Sequence, residues 1–224
     1  MDYRMIVTVA IGLIFIGLIA FSKRATKTQW RLKDIILVSI LGAFFAAICH
    51  ATALLARGPV ALILTPIGLG GLEFEIVFGI FFFSSTFASY IIQKPGIATI
   101  VGLLTGFIQI LLGSPAAATV WLSGLVQGFG AEIGFSLTGY KKWNLTVMLL
   151  AAFGSTVTSF LLAWQRGSWH ELPFGIIALR FAIRLASGLI ISGFGAKWLA
   201  ERLAKAGVLK SYPLGAIANE FTGE

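Results

Sequence analysis

Residues 35–56 read IILVSILGAFFAAICHATALLA, a stretch of 22 positions without an Asp, Glu, Lys or Arg. About 20 consecutive apolar residues are needed for a helix to cross the ~30 Å hydrocarbon core of a bilayer. The stretch therefore predicts a membrane-spanning helix. Comparable segments predict six further spanning helices, at 6–21, 74–92, 96–112, 119–138, 145–164 and 174–199.

The composition of the whole chain agrees with these segments. Hydrophobic residues make up 58% of 224 positions, charged residues only 12%, and the mean hydropathy is +0.93. Soluble domains carry about 25% charged residues, so a water-soluble globular fold is excluded. The single cysteine, Cys49, lies within an apolar run, so the sequence offers neither a disulfide framework nor a CxxC pair. We expect an all-α integral membrane protein.

One apolar stretch, at 60–71, is too short to span and contains Pro66, Gly68, Gly70 and Gly71. This composition favours a loop that dips back onto the helix bundle. Irregular backbone at membrane depth is tolerated where it is buried in protein or lines a cavity. We therefore expect the loop 57–72 to act as a lid.

The basic residues between the spans predict the orientation. Cytoplasmic loops are enriched in Lys and Arg. One of the two possible orientations places twelve of the seventeen basic residues on the cytoplasmic side: Lys23, Arg24, Lys27, Arg31, Lys33, Lys94, Lys141, Lys142, Lys197, Arg202, Lys205 and Lys210. The same orientation leaves only Arg4, Arg57 and Arg166 on the outer side. The remaining two, Arg180 and Arg184, fall within the last helix. We expect an outside N-terminus and a cytoplasmic C-terminus. Beyond the last span, an amphipathic stretch at 197–206 should end at Gly207.

Small residues recur at four-residue spacing on several spans. Ala43, Ala47 and Ala51 form one stripe on the helix at 35–56. Further pairs are Gly124/Gly128, Gly130/Gly134 and Gly188/Ser192. Such stripes let two helices approach closely. The spacing alone leaves open whether the partner helix belongs to this chain or to a separate membrane subunit.

Polar residues at membrane depth are the candidates for a binding site. They are Gln109, Gln127, Glu132, Arg180 and Arg184, with His50, Glu73 and Glu75 nearer the outer edge. An ionised group is costly in the bilayer, so these residues should face a cavity or one another. Glu132 could pair with Arg180 or Arg184, either as a purely structural ion pair or as one wall of a ligand pocket.

Aromatic residues mark the outer ends of the helices. Trp121, Trp164 and Trp169 are typical of the interfacial belt that anchors membrane proteins. Trp121 and Trp164 would also stand at the rim of a pocket that opens to the outside. There they could stack on a heterocycle or contact a cation.

Motifs for ATP hydrolysis, metal-dependent hydrolysis and serine hydrolysis are all missing from the sequence. There is no G-x-x-x-x-G-K-[ST], H-E-x-x-H or G-x-S-x-G, and only two histidines, far apart in sequence. We therefore expect a protein that is not an enzyme and needs no cofactor or metal. The two halves show no internal duplication, which argues against transport by this chain alone.

Several segments resemble a known family. They are Glu75-Ile-Val-Phe-Gly79, Lys94-Pro-Gly96, Leu112-Gly-Ser-Pro115, Gly124-Leu-Val-Gln-Gly-Phe-Gly-Ala-Glu132, Arg184-Leu-Ala-Ser-Gly188 and Ala206-Gly-Val-Leu209. From about residue 30 to 218 the chain resembles the substrate-binding S components of energy-coupling-factor (ECF) vitamin transporters. The likeness is to the YkoE-like branch, which is associated with thiamine and its hydroxymethylpyrimidine precursor.

The resemblance implies a division of the chain and a set of partners. Residues 1–29 would form an extra N-terminal transmembrane helix with a basic linker, and 30–224 a six-helix S-component domain with a cytoplasmic tail. Such components sit in bacterial or archaeal cell membranes. They bind a vitamin on the outer side and associate with a transmembrane T component and two ATPase subunits. Small residues on the first core helix make the contact, which assigns docking to Ala43, Ala47 and Ala51.

For a ligand such as thiamine or a related pyrimidine, we hypothesise roles for the candidate site residues. Glu132 and Gln127 would hydrogen-bond an aminopyrimidine, and Trp121 and Trp164 would stack on the ligand rings. Arg184 would orient Glu132. Glu75, and secondarily Glu73, would offset a thiazolium charge, and Gln109 completes the predicted set. Two alternatives stay open: an S component for a flavin or pyridoxine, and a membrane scaffold subunit that binds no small molecule.

Overall fold

The structure, a computed structural model, describes residues 29–114, 119–167 and 169–216. The predicted helix at 6–21 lies outside these residues. In the described part of the chain every regular element is helical. The α-helices are α1 (Leu32–Leu55), α2 (Ala61–Leu64), α3 (Glu73–Val77), α4 (Phe83–Ile92), α5 (Ile97–Leu111), α6 (Val120–Ser136), α7 (Leu145–Arg166), α8 (Phe174–Ser187) and α9 (Ala196–Lys205).

Continuous helical runs confirm the predicted spanning segments. Within the described residues, four runs could cross a membrane by length and composition: Leu32–Ile67, Glu73–Ile92, Leu145–Arg166 and Phe174–Lys205. Helices α5 and α6 are shorter, with 15 and 17 residues. All six core spans predicted from the sequence are therefore present as helices, although two of them are too short to meet the length criterion alone.

The predicted dipping loop at 60–71 is wrong over most of its length. The chain continues from α1 through a π-helical segment, Ala56–Val60, and then through α2 and a 3-10 turn, Thr65–Ile67. Pro59 lies inside the π-helical segment, where the wider turn accommodates its ring. The backbone leaves the helix only at Gly68, whose φ is +76°. A long helix with an exposed apolar surface therefore replaces most of the expected lid.

Glycines bring the central helices α5, α6 and α7 into close contact. A Cβ on Gly124 would collide with the backbone carbonyl of Gly102, and a Cβ on Gly130 with that of Gly154. One face of α6 thus fits α5 and another fits α7. The glycine pairs on α6 therefore serve packing within this chain, the simpler of the two explanations that their spacing allowed.

Helix α1 presents two different faces. Val38, Phe45 and Cys49 are buried against the bundle. A Cβ at Gly42 would lie 2.7 Å from Cδ2 of Leu104. The opposite face is exposed and includes Ala43, Ala47 and Ala51, together with Ile36, Ile40 and Phe44. The alanine stripe is therefore left uncovered by the described part of the chain.

Polar contacts join α1 to the C-terminal segment at one end of the bundle. Asp34 caps α1 by accepting the backbone N–H of Arg31 at 2.9 Å and pairs with Lys94 at 2.6 Å. Tyr212 donates to the carbonyl of Lys33 at 2.9 Å. Helix α9 ends at Lys205, and Gly207 follows with φ +77°, as predicted. Arg31, Lys33 and Lys94, which the sequence assigns to the cytoplasmic side, all take part in these contacts.

Candidate functional site

The centre of the candidate site is a buried carboxylate held by two arginines. Glu75, on α3, is 1% exposed. Its Oε2 lies 2.6 Å from Nε of Arg184, and its Oε1 lies 3.2 Å from Nη1 of Arg180. Both arginines lie on α8, one helical turn apart. Each carboxylate oxygen therefore has its own guanidinium partner, which offsets part of the cost of burying these charges.

Aromatic rings surround the inner arginine. Cζ of Arg184 lies 3.7 Å from the ring centroid of Phe78, 5.4 Å from that of Phe160 and 5.6 Å from that of Trp169. Arg180 lies 5.0 Å from the same Trp169 ring. Aromatic faces attract cations, so these rings add to the hold of Glu75 on the two arginines.

Local backbone irregularities position the ion cluster. The span that carries Glu75 changes from α3 to a 3-10 turn at Phe78–Ile80 before α4 begins. The N–H of Gly79 donates to Oγ of Ser187 at 3.0 Å, and a Cβ at Gly79 would collide with the Ser187 carbonyl. The last span is π-helical over Gly188–Gly195, directly after this contact. Such interruptions of spanning helices are common beside functional sites.

Several buried polar atoms at this end have no hydrogen-bond partner among the described residues. They are Nη1 of Arg184, Nε of Arg180, Nε1 of Trp164, Oε2 of Glu73 and Nδ1 of His50. Each such atom costs roughly 1–3 kcal/mol if it stays unpaired. Atoms of this kind can be satisfied by a ligand that brings hydrogen-bond acceptors or donors to them.

The outer arginine also touches the turn that precedes α3. Gly71 has φ +87°, and a Cβ there would lie 2.6 Å from Nη2 of Arg180. The Arg180 side chain is 15% exposed, whereas that of Arg184 is 2% exposed. Arg180 therefore lies nearer the surface than Arg184.

Trp121 and Trp164 come to the same end of the bundle, as their sequence positions predict. Arg166, at the end of α7, donates to Oγ of Ser123 and to the carbonyl of Thr119 at the start of α6. Trp164 packs against Phe160 at 6.1 Å between centroids. One face of Trp121 is already covered, because its ring stacks on Phe107 at 6.0 Å and 14°.

The two predicted glutamines are buried between the central helices. Gln109 on α5 and Gln127 on α6 are each 5% exposed. Nε2 of Gln109 donates to the Thr105 carbonyl at 3.4 Å, and the backbone carbonyl of Gln127 accepts from Ser155 at 2.7 Å. Both side chains therefore belong to the interior of the bundle.

The predicted pairing of Glu132 with Arg184 is wrong. Oε1 of Glu132 accepts the backbone N–H of Ala98 at 2.8 Å, and Oε2 accepts the hydroxyl of Tyr140 at 2.6 Å. Ala98 is the second residue of α5, which follows the span Glu73–Ile92. Glu75 lies near the other end of that span, about 25 Å away along the helix. Glu132 thus caps the N-terminus of α5 at the opposite end of the bundle, where the helix dipole favours a carboxylate.

Sequence reasoning missed the true partner of Arg184 and most of its aromatic surroundings. Glu75 and Arg184 are 109 residues apart in the chain, so no local spacing links them. The aromatic residues had a weak signal: Phe78 follows Glu75 by three positions, and Phe160 precedes Trp164 by four. Side chains at those spacings share a helix face.

Comparisons with known proteins agree with this architecture. The family described as "ABC-type cobalt transport system, permease component" matches residues 33–158. The "Putative HMP/thiamine permease protein YkoE" of Bacillus subtilis (strain 168) is 33% identical over 193 residues, which cover 84% of this chain and 91% of that protein.

A solved structure shares the fold. The "Crystal structure of an S-component of ECF transporter" superposes with a TM-score of 0.79 at 30% identity and covers 87% of this chain and 96% of that one. The six core spans, their apolar composition and these likenesses agree with one another. The chain is a multi-pass membrane protein of this permease family and belongs to the YkoE-like S components of ECF transporters.

Proposed function

We propose that this S component captures hydroxymethylpyrimidine or thiamine for import across the cell membrane. The name of the Bacillus subtilis relative supports this substrate class. The site has mixed hydrogen-bonding groups next to aromatic rings, which suits a small polar heterocycle.

The observation that carries the proposal is the Glu75–Arg180–Arg184 cluster, in which buried polar atoms have no hydrogen-bond partner among the described residues. A scaffold subunit would gain nothing from two buried charges and a half-buried one among aromatic rings, since replacing such a group with apolar residues is often neutral or stabilising. A ligand that hydrogen-bonds to the cluster supplies a reason to keep these residues.

We propose that the ligand contacts come from this end of the bundle. Trp164, Arg184 and Glu73 each have a buried polar atom that could bond to a ligand. Trp121, Gln109 and Gln127 complete the set from α5 and α6. Glu75 then acts by holding the arginines, because both of its oxygens are occupied. Glu132 acts by capping α5 at the opposite end of the bundle, away from the proposed ligand contacts.

We further propose that the exposed alanine face of α1 docks onto a transmembrane T component. That subunit would carry two ATPases, which supply the energy that this chain has no motif to provide. Ala43, Ala47 and Ala51 have no large side chain to hold a second helix away. The distribution of Lys and Arg supports a cytoplasmic C-terminus, and a reporter fused to either end would test this orientation.

The decisive experiment is binding to the detergent-purified chain, followed by quenching of tryptophan fluorescence. We expect saturable quenching by hydroxymethylpyrimidine or thiamine, because Trp164 and Trp169 lie beside the cluster. Riboflavin and pyridoxine serve as comparison ligands, and selective binding of either would reassign the substrate. If none of the four compounds binds, the proposed function is wrong.

A further inference from the structure

We infer that Arg184 and Trp164 form a pair of hydrogen-bond donors that contacts the pyrimidine end of the ligand directly. The uncharged, acceptor-bearing ring would point toward Arg184, and the cationic thiazolium of thiamine would point away from it. This inference rests on the proposed function and deepens it by assigning the orientation of the ligand and the residues that read it.

The guanidinium of Arg184 is held in place by its Nε and by the ring that covers its face. Its Nε is bonded to Glu75 at 2.6 Å, and the ring of Phe78 covers its face at 3.7 Å. Nη1 is buried and has no partner among the described residues. A side chain that is 2% exposed cannot turn this donor to solvent. The free edge is therefore fixed before a ligand arrives, which lowers the entropy cost of binding.

Trp164 presents a second donor next to Phe160, a ring that Arg184 also approaches. Its indole lies edge-on to Phe160 with the centroids 6.1 Å apart, and Cζ of Arg184 lies 5.4 Å from the centroid of that ring. Nε1 of Trp164 is also buried without a partner in the described part of the chain. Tryptophan can only donate, so both groups require acceptors. The ring nitrogens and hydroxyl oxygen of hydroxymethylpyrimidine supply them.

The net positive charge of the Glu75–Arg180–Arg184 cluster disfavours binding of a cation beside Arg184. Two guanidinium groups share Glu75, and neither of its oxygens is spare. A thiazolium beside Arg184 would meet like charge in a medium of low dielectric constant, where repulsion is strong. Turning thiamine so that its pyrimidine meets Arg184 and Trp164 removes that repulsion and uses both donors.

The test compares hydroxymethylpyrimidine binding to wild type, Arg184→Lys and Trp164→Phe. Lysine keeps the charge pair with Glu75 but lacks the second donor edge, so a merely structural role would be rescued. We expect Arg184→Lys to weaken binding about 10- to 100-fold, the effect of losing a charged hydrogen bond. Trp164→Phe keeps most of the ring surface and should weaken binding by a smaller factor. Arg202→Lys, on the exposed side of α9, is the matched control and should bind as wild type.

Two ligand analogues keep the test decisive if a variant is unstable. A benzene analogue of hydroxymethylpyrimidine, without ring nitrogens, should bind wild type weakly and be insensitive to Arg184→Lys. A neutral thiophene analogue of thiamine should bind wild type at least as tightly as thiamine. A benzene analogue that binds as well as the pyrimidine, or Arg184→Lys with wild-type affinity, overturns the inference alone. Wild type that binds neither hydroxymethylpyrimidine nor thiamine overturns the proposed function as well.

Discussion

Nε of Arg184 lies 2.6 Å from Oε2 of Glu75, and this contact joins the last spanning helix to the start of the second described span across 109 residues of chain. It is the inner half of a bridge whose outer half is Arg180. The bridge fixes α8 against α3 where the surrounding backbone is irregular. Because of its position, the bridge both holds the helices together and orients the guanidinium donor of Arg184.

Replacing Glu75 should destabilise the protein strongly. Glu75→Gln leaves the buried guanidinium of Arg184 and the half-buried one of Arg180 without a counter-ion, and breaking a buried pair such as Glu75–Arg184 costs about 3–5 kcal/mol. A thermal melt in detergent should show the loss. Glu201→Gln is the control, because Glu201 pairs with Lys197 at a partly exposed position where about 0–1 kcal/mol is expected. Equal melting temperatures for the two variants would contradict the role of the cluster.

Replacing Glu132 should lower the stability of the protein but leave its affinity for the ligand nearly unchanged. Glu132→Ala removes the cap from Ala98 and the partner of Tyr140, for a loss of about 1–3 kcal/mol. The affinity for hydroxymethylpyrimidine should stay within about threefold of wild type, since the contact lies at the other end of the bundle. Fluorescence titration beside a thermal melt measures both. A large loss of affinity in a variant that melts like wild type would restore Glu132 to the binding site.

The close packing of glycines on α6 predicts that adding a single methyl group there lowers the free energy of unfolding. Gly130→Ala would place Cβ against the backbone carbonyl of Gly154, and overpacking of this kind costs about 1–3 kcal/mol. Gly175→Ala is a matched control on α8, because a Cβ there meets nothing within 4 Å. Its melting temperature should stay level or rise, since alanine favours a helix over glycine. If Gly130→Ala is as stable as the control, α6 and α7 do not pack as described.

The docking proposal predicts a variant that binds ligand but does not assemble. Ala47→Leu adds bulk to the exposed stripe of α1 and should reduce co-purification of the T component and ATPases when all subunits are produced together. Ligand affinity should be unchanged, because the residue faces away from the bundle. Ala178→Leu, at an exposed position on α8, is the control. Assembly that tolerates Ala47→Leu as well as Ala178→Leu would remove the stripe from the docking surface.

The extent of the core spans could be read from the sequence because the bilayer imposes it. A backbone in hydrocarbon must satisfy its own hydrogen bonds, so long apolar runs become helices with little help from tertiary contacts. The ends of α5 and α7 fall within a few residues of the predictions for this reason. The prediction of a loop at 57–72 is wrong because proline and glycine usually end helices. Here a π-helical segment accommodates Pro59, so the helix continues through it.

Charge pairing was decided by tertiary structure alone. The sequence marked Glu75, Glu132, Arg180 and Arg184 as residues that must find partners at membrane depth, because burying an unpaired charge is costly. It could not tell which carboxylate meets which arginine, since each pair lies on different helices and helix packing sets the distance. Apolar length and basic loops thus determined that this chain is a bundle of membrane helices. The crossing of α3, α7 and α8 decided that Glu75, with Phe78 and Phe160, surrounds Arg184 and leaves one donor edge free.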